Sequence, residues 1–472
     1  MVDVASVLAA RRGHVSAPAG CGKTELIGQV LTAPTLKPTL VLTHTTAGVA
    51  ALRQRLGRMG IPASRYRLNT IAGWALTVIS MFPERAGYAQ DPLLAPNYRR
   101  VQAAVAQLCG SGDIGAELRA TYGRLLVDEY QDCSVSQHAM ICGIADAIPT
   151  VVFGDPMQAI FDFADPLPHW ENDVGTAFPE LGQLSTPWRW NRVGAQVLGT
   201  WLMTARQTLE AGGKIDLRTC PSFVVWRPMP DDANLAATEQ VRIQYEIARR
   251  FPGENILIIG DSIRAEARHT YASRAHGVGV VERVDFPDVV AAATQMHGLS
   301  GALLLEACIR FLILVMTNVY GDKLKARMET IAAGRHRTPA TPQETAAMAL
   351  SAGGGYRQAI EFLKSMAADK DRRIYRYSAF DMMIEALSSA TTGHTTIIEA
   401  VAALRERQRH AGRNVPAKAV GSTLLLKGLE AEHAVILDAD RPNGAMSAKH
   451  LYVALTRGAR SIHVFSRSPV LP

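Results

Sequence analysis

Short apolar runs alternate with longer stretches of helical periodicity over much of the chain. In the first half, such runs span residues 40–43, 125–127 and 151–153, and each leads through polar or small residues into a helix-like stretch. Apolar runs of this length are typical of strands that are buried on both faces. The alternation predicts an α/β fold with a parallel sheet, whose ligands bind at the carboxyl ends of the strands.

A second α/β unit is predicted in the second half. Strands at residues 223–226 and 255–259 flank a helical stretch at 236–249, and strand-like runs return at 420–425, 434–437 and 461–465. We therefore expect two parallel-sheet core domains. The first would comprise residues 1–74 and 119–205, with a small insertion at 75–118. The second would comprise residues 206–270 and 416–472, with a mostly helical insertion at 271–415.

Residues 299–319 form the most apolar run. Glu306 and Arg310 interrupt it, which predicts a packed helix and not a membrane span. The first residues contain no apolar signal core, and the six cysteines are scattered without paired spacing. We expect a cytoplasmic protein with reduced thiols and no membrane association.

The chain is basic, with 50 Lys and Arg against 43 Asp and Glu and a formal net charge of +7. Residues 322–415 carry much of the excess, with 15 basic and 10 acidic side chains. A solvated helical face would explain these charges, but their concentration also suits contact with the backbone of a polyanion.

The strongest local signal is a loop of small residues after a short apolar strand. It runs Ala17-Pro18-Ala19-Gly20-Cys21-Gly22-Lys23-Thr24 and opens into a helix-like stretch. Small residues let backbone N–H groups approach a phosphate, and a helix N-terminus adds a positive dipole. Lys23 is suited to reach the β- and γ-phosphates of a nucleotide, and the Thr24 hydroxyl to bind Mg²⁺. The strict pattern has glycine in place of Ala17, and the loop alone would also fit a chance glycine-rich turn.

Two adjacent carboxylates, Asp128 and Glu129, follow the strand at residues 125–127. In nucleotide hydrolysis one such carboxylate holds Mg²⁺, here Asp128, and the next orients or deprotonates the attacking water, here Glu129. A strand end with solvated acids would explain the pair by itself. Its position downstream of a phosphate loop favours the hydrolytic role.

The third strand leads into a loop with a glutamine and alternating aromatic residues. Gln158 is a candidate sensor of a γ-phosphate, and Phe161 and Phe163 are candidates for stacking on bases. Alternating aromatic residues more often belong to a core, which is also the expectation for Trp74. Arg189 lies just before another helix-like stretch and would, by itself, be a surface arginine.

The order of these motifs resembles that of the UvrD/Rep/PcrA family of superfamily 1 helicases, in a compact form. The similarity covers the phosphate loop, Leu42-Thr43-His44-Thr45, Asp128-Glu129-Tyr130-Gln131-Asp132, the loop at 154–161, Lys427-Gly428-Leu429-Glu430 and Leu451-Tyr452-Val453-Ala454-Leu455-Thr456-Arg457. The resemblance implies two RecA-like domains of the P-loop NTPase type, with ATP and Mg²⁺ between them and single-stranded DNA across the top of both.

The resemblance also implies roles for individual residues. Glu430 would contact the ribose, and Arg189 and Arg457 would clamp the γ-phosphate. Single-stranded DNA would be contacted by six residues: Thr43, His44, Thr70, Phe161, Phe163 and Ser422. The implied activity is DNA-stimulated ATP hydrolysis that drives translocation or unwinding in the 3′ to 5′ direction.

The sequence departs from the family pattern at several positions. Residues 1–13 offer no glutamine to read adenine, so the base selectivity stays open. Thr70-Ile71-Ala72 replaces a Thr-Phe-His-like DNA contact, and Leu424 stands where a histidine is expected. The insertion in the first domain is also shorter than family helicases carry, which favours translocation over processive unwinding.

A second hypothesis is a DNA-sensing ATPase that regulates a nuclease subunit and unwinds little DNA itself. Compact UvrD-like proteins resemble the helicase subunits of Gabija-type anti-phage systems, which pair with an OLD-like nuclease, and DNA repair is the other setting. No further carboxylate-rich motif follows Arg457, so a nuclease domain within this chain is not expected.

Overall fold

The structure is a computed structural model that describes residues 2–88, 97–161, 166–283, 285–411, 415–440 and 446–472. The helices are α1 (Val4–Ala9), α2 (Lys23–Thr32), α3 (Thr46–Arg58), α4 (Ile71–Met81), α5 (Tyr98–Gly110), α6 (Gly115–Thr121), α7 (Val135–Ala147), α8 (Gly175–Ala177), α9 (Trp188–Arg192), α10 (Gln196–Glu210), α11 (Ala233–Arg250), α12 (Ala265–Arg274), α13 (Pro287–Met296), α14 (Gly301–Val315), α15 (Gly321–Ala332), α16 (Pro342–Ser351), α17 (Tyr356–Ala367), α18 (Tyr377–Ala390), α19 (Ile397–Ala411), α20 (Thr423–Leu426) and α21 (Ala448–Leu455). The strands are β1 (Arg12–Ser16), β2 (Thr39–Thr43), β3 (Tyr66–Thr70), β4 (Arg124–Val127), β5 (Thr150–Gly154), β6 (Glu180–Gln183), β7 (Ile215–Asp216), β8 (Val224–Pro228), β9 (Ile256–Ile259), β10 (Gly279–Val280), β11 (Lys418–Gly421), β12 (Ala431–Ile436), β13 (Gly458–Ser466) and β14 (Val470–Leu471). Short 3-10 turns lie at Ala63–Arg65, Tyr130–Asp132, Pro156–Gln158 and Leu217–Thr219, and a π-helical turn at Trp170–Val174.

The first sheet has six strands in the order β3-β2-β4-β5-β1-β6. Its pairings are parallel, with Val41 opposite Leu126 and Val15 opposite Phe153. This order makes β1, which enters the phosphate loop, a direct neighbour of β5, and places β4 on the other side of β5.

Both faces of this sheet are covered, because successive side chains of a strand point to opposite faces. Leu40 and Leu42 of β2 pack in one core with residues of α4, α5 and α7, whereas Val41 packs with α2 and α3 in the other. Trp74 is buried in the first of these cores. Val101, in the stretch expected as a small insertion, belongs to the same core.

The polar motifs follow strands of this sheet. In each case a strand ends just before the motif: β1 at Ser16, β2 at Thr43, β4 at Val127 and β5 at Gly154. Because parallel strands end at the same edge, the phosphate loop, the two carboxylates and the Gln158 loop are brought together.

The second sheet also has six strands, in the order β10-β11-β9-β12-β13-β8. The pairs β10–β11, β11–β9, β12–β13 and β13–β8 are parallel. The prediction of two parallel-sheet cores in an α/β protein is therefore confirmed. A separate antiparallel pair joins β14 to β7, with Val470 opposite Asp216.

The strand expected at residues 420–425 is wrong from Ser422 onward. β11 ends at Gly421, and α20 begins at Thr423. The Ser422 hydroxyl accepts a hydrogen bond from the Leu425 N–H at 3.2 Å, and such a local bond favours a turn over a strand. The sequence prediction also lacks β14, because two residues are too few to show a periodic pattern.

By compactness the chain divides into two units. The first comprises Met1–Met229 and Lys427–Pro472, and the second comprises Pro230–Leu426. The first unit contains the whole first sheet together with β8, β12 and β13, and the second contains β9, β10, β11 and the helices α11 to α20. Of the described residues that are expected to act on nucleotide or DNA, Ser422 belongs to the second unit and the others to the first.

The second unit has a helical core of its own, to which every helix from α13 to α19 contributes. The apolar run at 299–319 forms α14, which buries Phe311 and Val315 in this core and exposes Leu303. Within the described part of the chain, no helix combines the length and the apolar character needed to cross a bilayer.

We expect Phe311→Ala to lower the free energy of unfolding by about 3–5 kcal/mol, because it would leave a cavity in the helical core. Leu303→Ala lies on the same helix, but its side chain is 67% exposed, so it should cost less than about 0.5 kcal/mol. Urea unfolding followed by circular dichroism would measure both. Equal effects would contradict the orientation of α14.

Candidate active site

The phosphate loop joins β1 to the N-terminus of α2. Gly20 and Gly22 have φ angles of 70° and 92°, which residues with a Cβ seldom adopt. A Cβ on Gly20 would also lie 2.6 Å from the Trp190 ring. α2 begins at Lys23, with Thr24 as its second residue. A glycine-bearing loop that runs into a helix N-terminus is suited to bind an anion.

Lys23 contacts both carboxylates at the end of β4. Its ammonium lies 3.0 Å from Asp128 Oδ1 and forms a hydrogen-bonded ion pair with Glu129 Oε1. Burial acts to lower the pKa of Lys23, but the two carboxylates outweigh it and raise the pKa above its usual value. Burial raises the pKa of Asp128. Burial also acts to raise the pKa of Glu129, but Lys23 and then Lys427 lower it to about 2.

Glu129 has a left-handed backbone, with φ 55° and ψ 41°. Such a conformation is uncommon for a residue other than glycine. The Glu129 N–H donates to Asp128 Oδ1 at 3.0 Å, and a 3-10 turn follows at Tyr130–Asp132. Tyr130 is fully buried, and its hydroxyl lies 2.8 Å from His138 Nδ1. These contacts fix the turn and thereby the direction of the Glu129 side chain.

Gln131 connects the carboxylate turn to the loop after β5. Its amide donates to Glu129 Oε2 at 2.6 Å, and its side-chain oxygen accepts from the Asp155 N–H at 3.1 Å. Asp155 Oδ2 in turn accepts from the Gln158 amide at 3.0 Å. A continuous chain of hydrogen bonds therefore runs from the Glu129 carboxylate to Gln158.

Arg206 of α10 compensates the charge of Asp155, which is fully buried. The two side chains lie 3.0 Å apart, and Arg206 also pairs with Glu210 at 2.7 Å. Burial acts to lower the pKa of Arg206, but Asp155 outweighs it and the pKa is raised. Sequence reasoning missed Arg206, because a single arginine within a helix gives no signal of its partner.

Arg189 and Glu430 form an ion pair with each other. The resemblance assigns the first to the γ-phosphate and the second to the ribose, and the structure brings them together. Arg189 also donates to the Thr456 carbonyl oxygen at 2.7 Å. Its side chain keeps 21% exposure.

Arg457 is more enclosed than Arg189, with 2% exposure. Its guanidinium donates to the Val453 carbonyl oxygen at 2.8 Å, the Leu429 carbonyl oxygen at 2.9 Å and Thr456 Oγ1 at 2.9 Å. Burial and then the charge of Arg189 lower its pKa to about 10. In this structure Arg457 holds together the residues around it, and Arg189 is the more accessible of the two.

The C-terminal segment, residues 427–472, is attached to the phosphate loop and α9. The Tyr452 hydroxyl accepts from the Ala19 N–H at 3.2 Å, and the Trp190 indole donates to the Gly458 carbonyl oxygen at 3.0 Å. Tyr452 and Trp190 are buried. The motif around Tyr452 therefore lies at the same end of the first sheet as the phosphate loop.

Trp188 lies against the phosphate loop. A Cβ placed on Gly22 would be 3.1 Å from Trp188 Cδ1, and the side chain is 50% exposed. A half-exposed indole beside a phosphate loop offers an apolar face to a flat group. Sequence reasoning did not single out Trp188, although its position next to Arg189 was an available signal.

Of the six residues assigned to DNA, His44 and Phe161 have neighbouring rings, with centroids 5.9 Å apart. Burial and then Lys427 lower the pKa of His44 to about 4, so the ring is neutral at pH 7. Thr43 is buried, and the Thr70 hydroxyl caps α4.

The other two residues of this set are Ser422 and Phe163. Ser422 is buried in the second unit, where its hydroxyl accepts the Leu425 N–H. Phe163 lies outside the described residues.

Lys427 is a further residue at this edge, for which the sequence predicted no separate role. Its ammonium lies 2.6 Å from both carboxylate oxygens of Asp132 and donates to the Gln158 carbonyl oxygen. It also lies 5.0 Å from the centroid of the Phe161 ring. Burial raises the pKa of Asp132 to about 6, although Lys427 acts to lower it. The Lys-Gly-Leu-Glu motif pointed to this position but not to its partners.

Thr24 and Asp128 offer a hydroxyl and a carboxylate oxygen at the end of the phosphate loop. Among the described residues no group of three His, Cys, Asp or Glu side chains is placed to hold a metal ion by itself. Mg²⁺ at nucleotide sites usually takes one or two protein oxygens and completes its shell with phosphate oxygens and water. The two residues fit that mode of binding.

Comparison with known proteins points to the family that the motifs resemble. Residues 99–170 match the family model of the UvrD/REP helicase N-terminal domain, a range that includes Asp128, Glu129 and Gln158. No curated protein sequence matches the chain. A solved structure of Arterivirus nonstructural protein 10, a helicase in complex with DNA, has 9% identity and a TM-score of 0.36 over 98% of this chain, which spans 62% of that chain. Within residues 99–170, which contain two of the motifs at the sheet edge, the chain is similar to the N-terminal domain of UvrD/REP helicases.

Proposed function

We propose that this chain is an ATP-driven motor that moves on single-stranded DNA in the 3′ to 5′ direction. The observation that carries the proposal is the convergence of Lys23, Asp128 and Glu129 at the end of the phosphate loop. A phosphate-binding lysine, a Mg²⁺-binding carboxylate and a carboxylate that activates water are what nucleotide hydrolysis requires. The two core domains with the boundaries expected from the sequence are part of the same proposal.

ATP binding would exchange the partners of Lys23. The Lys23 ammonium would leave the two carboxylates and bind the β- and γ-phosphates. The N-terminus of α2 would bind further phosphate oxygens. Thr24 and Asp128 would hold Mg²⁺, which supplies positive charge against the phosphates. Arg189 and Glu430 would separate, so that Arg189 reaches the γ-phosphate and Glu430 the ribose.

Glu129 would act as the base for the attacking water. Its ion pair with Lys23 is the main interaction that depresses its pKa, so transfer of Lys23 to the phosphates makes the carboxylate a stronger base. The hydrogen bond from Gln131 and the left-handed turn keep the carboxylate in place during this exchange. Arg189 would stabilise the charge that develops on the γ-phosphoryl group.

Single-stranded DNA would contact the same sheet edge through the rings of His44 and Phe161. Stacking of bases on aromatic rings tolerates any sequence. Phe161 lies three residues after Gln158 in one loop, so the contact with a γ-phosphate and the contact with a base would move together. The basic residues of 322–415 would add contacts with the DNA backbone.

The regulatory alternative, in which the chain senses DNA for a nuclease subunit in anti-phage defence or repair, uses the same ATPase site. Strand displacement by the purified chain alone, on a duplex with a 3′ single-stranded end, separates the two. Unwinding by the chain without a partner, or displacement of streptavidin from the 5′ end of a biotinylated single strand, supports the motor. DNA-stimulated ATP hydrolysis with neither activity supports the regulator.

We expect Glu129→Gln to keep nucleotide binding but to lower kcat by about 10²-fold or more, because the general base is lost. Lys23→Ala should instead weaken nucleotide binding. Asp146→Asn, at a carboxylate that is 70% exposed, is the matched control and should leave turnover unchanged. Phosphate release and equilibrium nucleotide binding measure the two effects, and wild-type turnover in Glu129→Gln would contradict the assignment.

Nucleotide selectivity should be weak, because residues 1–13 contain no glutamine that could read the base and stacking on the Trp188 ring would tolerate any base. We expect kcat/KM for GTP within about tenfold of that for ATP, since one lost hydrogen-bonded pair is worth roughly 1–2 kcal/mol. Trp188→Ala should raise KM for both nucleotides by a similar factor. A strong ATP preference in the wild type would show that another residue reads the base.

Phe161→Ala should weaken binding of single-stranded DNA by roughly 1–3 kcal/mol, the value of one base–aromatic stack, and should reduce DNA stimulation of ATP hydrolysis. Thermal melting is the control, because a ring that served only the core would lower the melting temperature and every activity together. An unchanged melting temperature with unchanged stimulation would remove Phe161 from the DNA contact.

A further inference from the structure

A histidine and a cysteine on α7 lie side by side, outside the residues that would bind the nucleotide. His138 and Cys142 are four residues apart, which brings their side chains to the same face of the helix. Cys142 Sγ lies 3.6 Å from His138 Nε2. Both residues are partly exposed, so this face of α7 can be reached from solvent.

The separation of these two atoms is the one that a tetrahedral metal ion requires. Zn²⁺ binds an imidazole nitrogen at about 2.0–2.1 Å and a thiolate sulfur at about 2.3 Å. At the tetrahedral angle these two bonds place the nitrogen and the sulfur about 3.6 Å apart. A hydrogen bond between the thiol and the imidazole explains the same distance, and a bound ion would replace the proton of that bond. The two side chains can therefore hold an ion without changing their positions.

The other nitrogen of the imidazole is held by a buried tyrosine. Tyr130 Oη lies 2.8 Å from His138 Nδ1, and Tyr130 is fully buried. The rings of Tyr130 and Phe178 contact the imidazole edge to face, with centroids 6.0 and 6.2 Å away. Metal-binding histidines usually have such a partner on the second nitrogen, because it fixes the orientation of the ring. In the tautomer that donates Nδ1–H to the tyrosine oxygen, the lone pair of Nε2 faces Cys142.

The protonation states and the nearby charges also suit a cation. Burial lowers the pKa of His138, so its imidazole is neutral at pH 7. Burial raises the pKa of Cys142, and a bound ion would release the thiol proton to water. Asp173 acts on His138 as a negative charge, and Asp146 acts likewise on Cys142. Arg12 opposes Asp146 at Cys142 but is itself paired with that carboxylate.

We propose that His138 and Cys142 form a binding site for a thiophilic divalent metal ion such as Zn²⁺. The two side chains supply two of four positions and water completes the tetrahedron, since the described residues include no group of three His, Cys, Asp or Glu ligands. Imidazole and thiolate together favour Zn²⁺ over Mg²⁺ and Ca²⁺, which prefer oxygen ligands. With half the protein ligands of a structural zinc site, this site would bind and release its ion reversibly.

The site would lie one side chain away from the proposed general base. Tyr130 directly follows Glu129 in the turn after β4, and its hydroxyl contacts the imidazole that would bind the ion. A bound ion would therefore fix the imidazole against which this turn is held. The site itself does not depend on the proposed function, because ion binding requires neither nucleotide nor DNA.

Co²⁺ is the probe, because its complexes with thiolates absorb in the near ultraviolet and report a metal–sulfur bond directly. The full-length reduced chain is titrated without nucleotide and in excess Mg²⁺, which occupies positions with oxygen ligands. We expect one Co²⁺ per chain with a thiolate band, which excess Zn²⁺ should remove. Cys142→Ala should abolish the band and weaken binding by more than about tenfold, as even indirect partners of a metal contribute 10–100-fold. Cys220→Ala, at the other partly exposed cysteine, is the matched control and should bind Co²⁺ as the wild type does.

Two further variants separate ion binding from packing. Tyr130→Phe keeps the buried ring but removes the hydroxyl, and should weaken Co²⁺ binding by about 10–100-fold. Cys142→His keeps a ligand at the same spacing, so it should retain Co²⁺ binding while the thiolate band disappears. Thermal melting without metal verifies that each variant is folded.

Two results would overturn the proposal. One is a wild-type chain in which Co²⁺ gives no thiolate band, which would leave the contact between His138 and Cys142 as a hydrogen bond only. The other is a band of wild-type strength in Cys142→Ala, which would place the ion at another cysteine. Neither result bears on nucleotide hydrolysis, because the measurement reports metal binding alone.

Discussion

The balance of buried charge at the end of the phosphate loop is the constraint on which the rest of the first unit depends. Lys23 and Lys427 stand among Asp128, Glu129 and Asp132, and each of these groups would be costly to bury alone. Lys23 comes together with the three carboxylates because β1 and β4 flank β5 and all three strands end at the same edge. Lys427 reaches them from the segment between α20 and β12. The strand order is thus a requirement of the electrostatics as well as of the packing.

The sequence predicts those features that are local. The phosphate loop, the acidic pair and the Gln158 loop each follow an apolar run, and the structure places all three at the ends of parallel strands. Burial of Trp74 and of one face of α14 also follows from local hydrophobicity. The helix at Thr423–Leu426 does not follow from local hydrophobicity. The Ser422 hydroxyl accepts a hydrogen bond from the Leu425 N–H, which favours a turn over a strand.

Contacts between distant residues could not be predicted in the same way. Arg206 and Asp155 are 51 positions apart, and Lys427 and Asp132 are 295 apart. The residues around Arg206 do not indicate that it pairs with Asp155. The Lys-Gly-Leu-Glu motif does not indicate which carboxylate its lysine binds. Such pairs depend on which strands become neighbours, and that is a property of the whole sheet. The sequence thus locates the candidate site, while its supporting contacts come from the structure.

At position 129 the backbone conformation and the proposed chemistry favour different residues. A non-glycine residue held in the left-handed region costs of order 1 kcal/mol, and glycine would remove that cost. Glycine would also remove the carboxylate that the proposed reaction needs. Glycine would also break the ion pair with Lys23 and the hydrogen bond from Gln131, so the relief of backbone strain would be offset by the loss of two buried contacts. Evolution for activity must keep the strained backbone and compensate for it elsewhere.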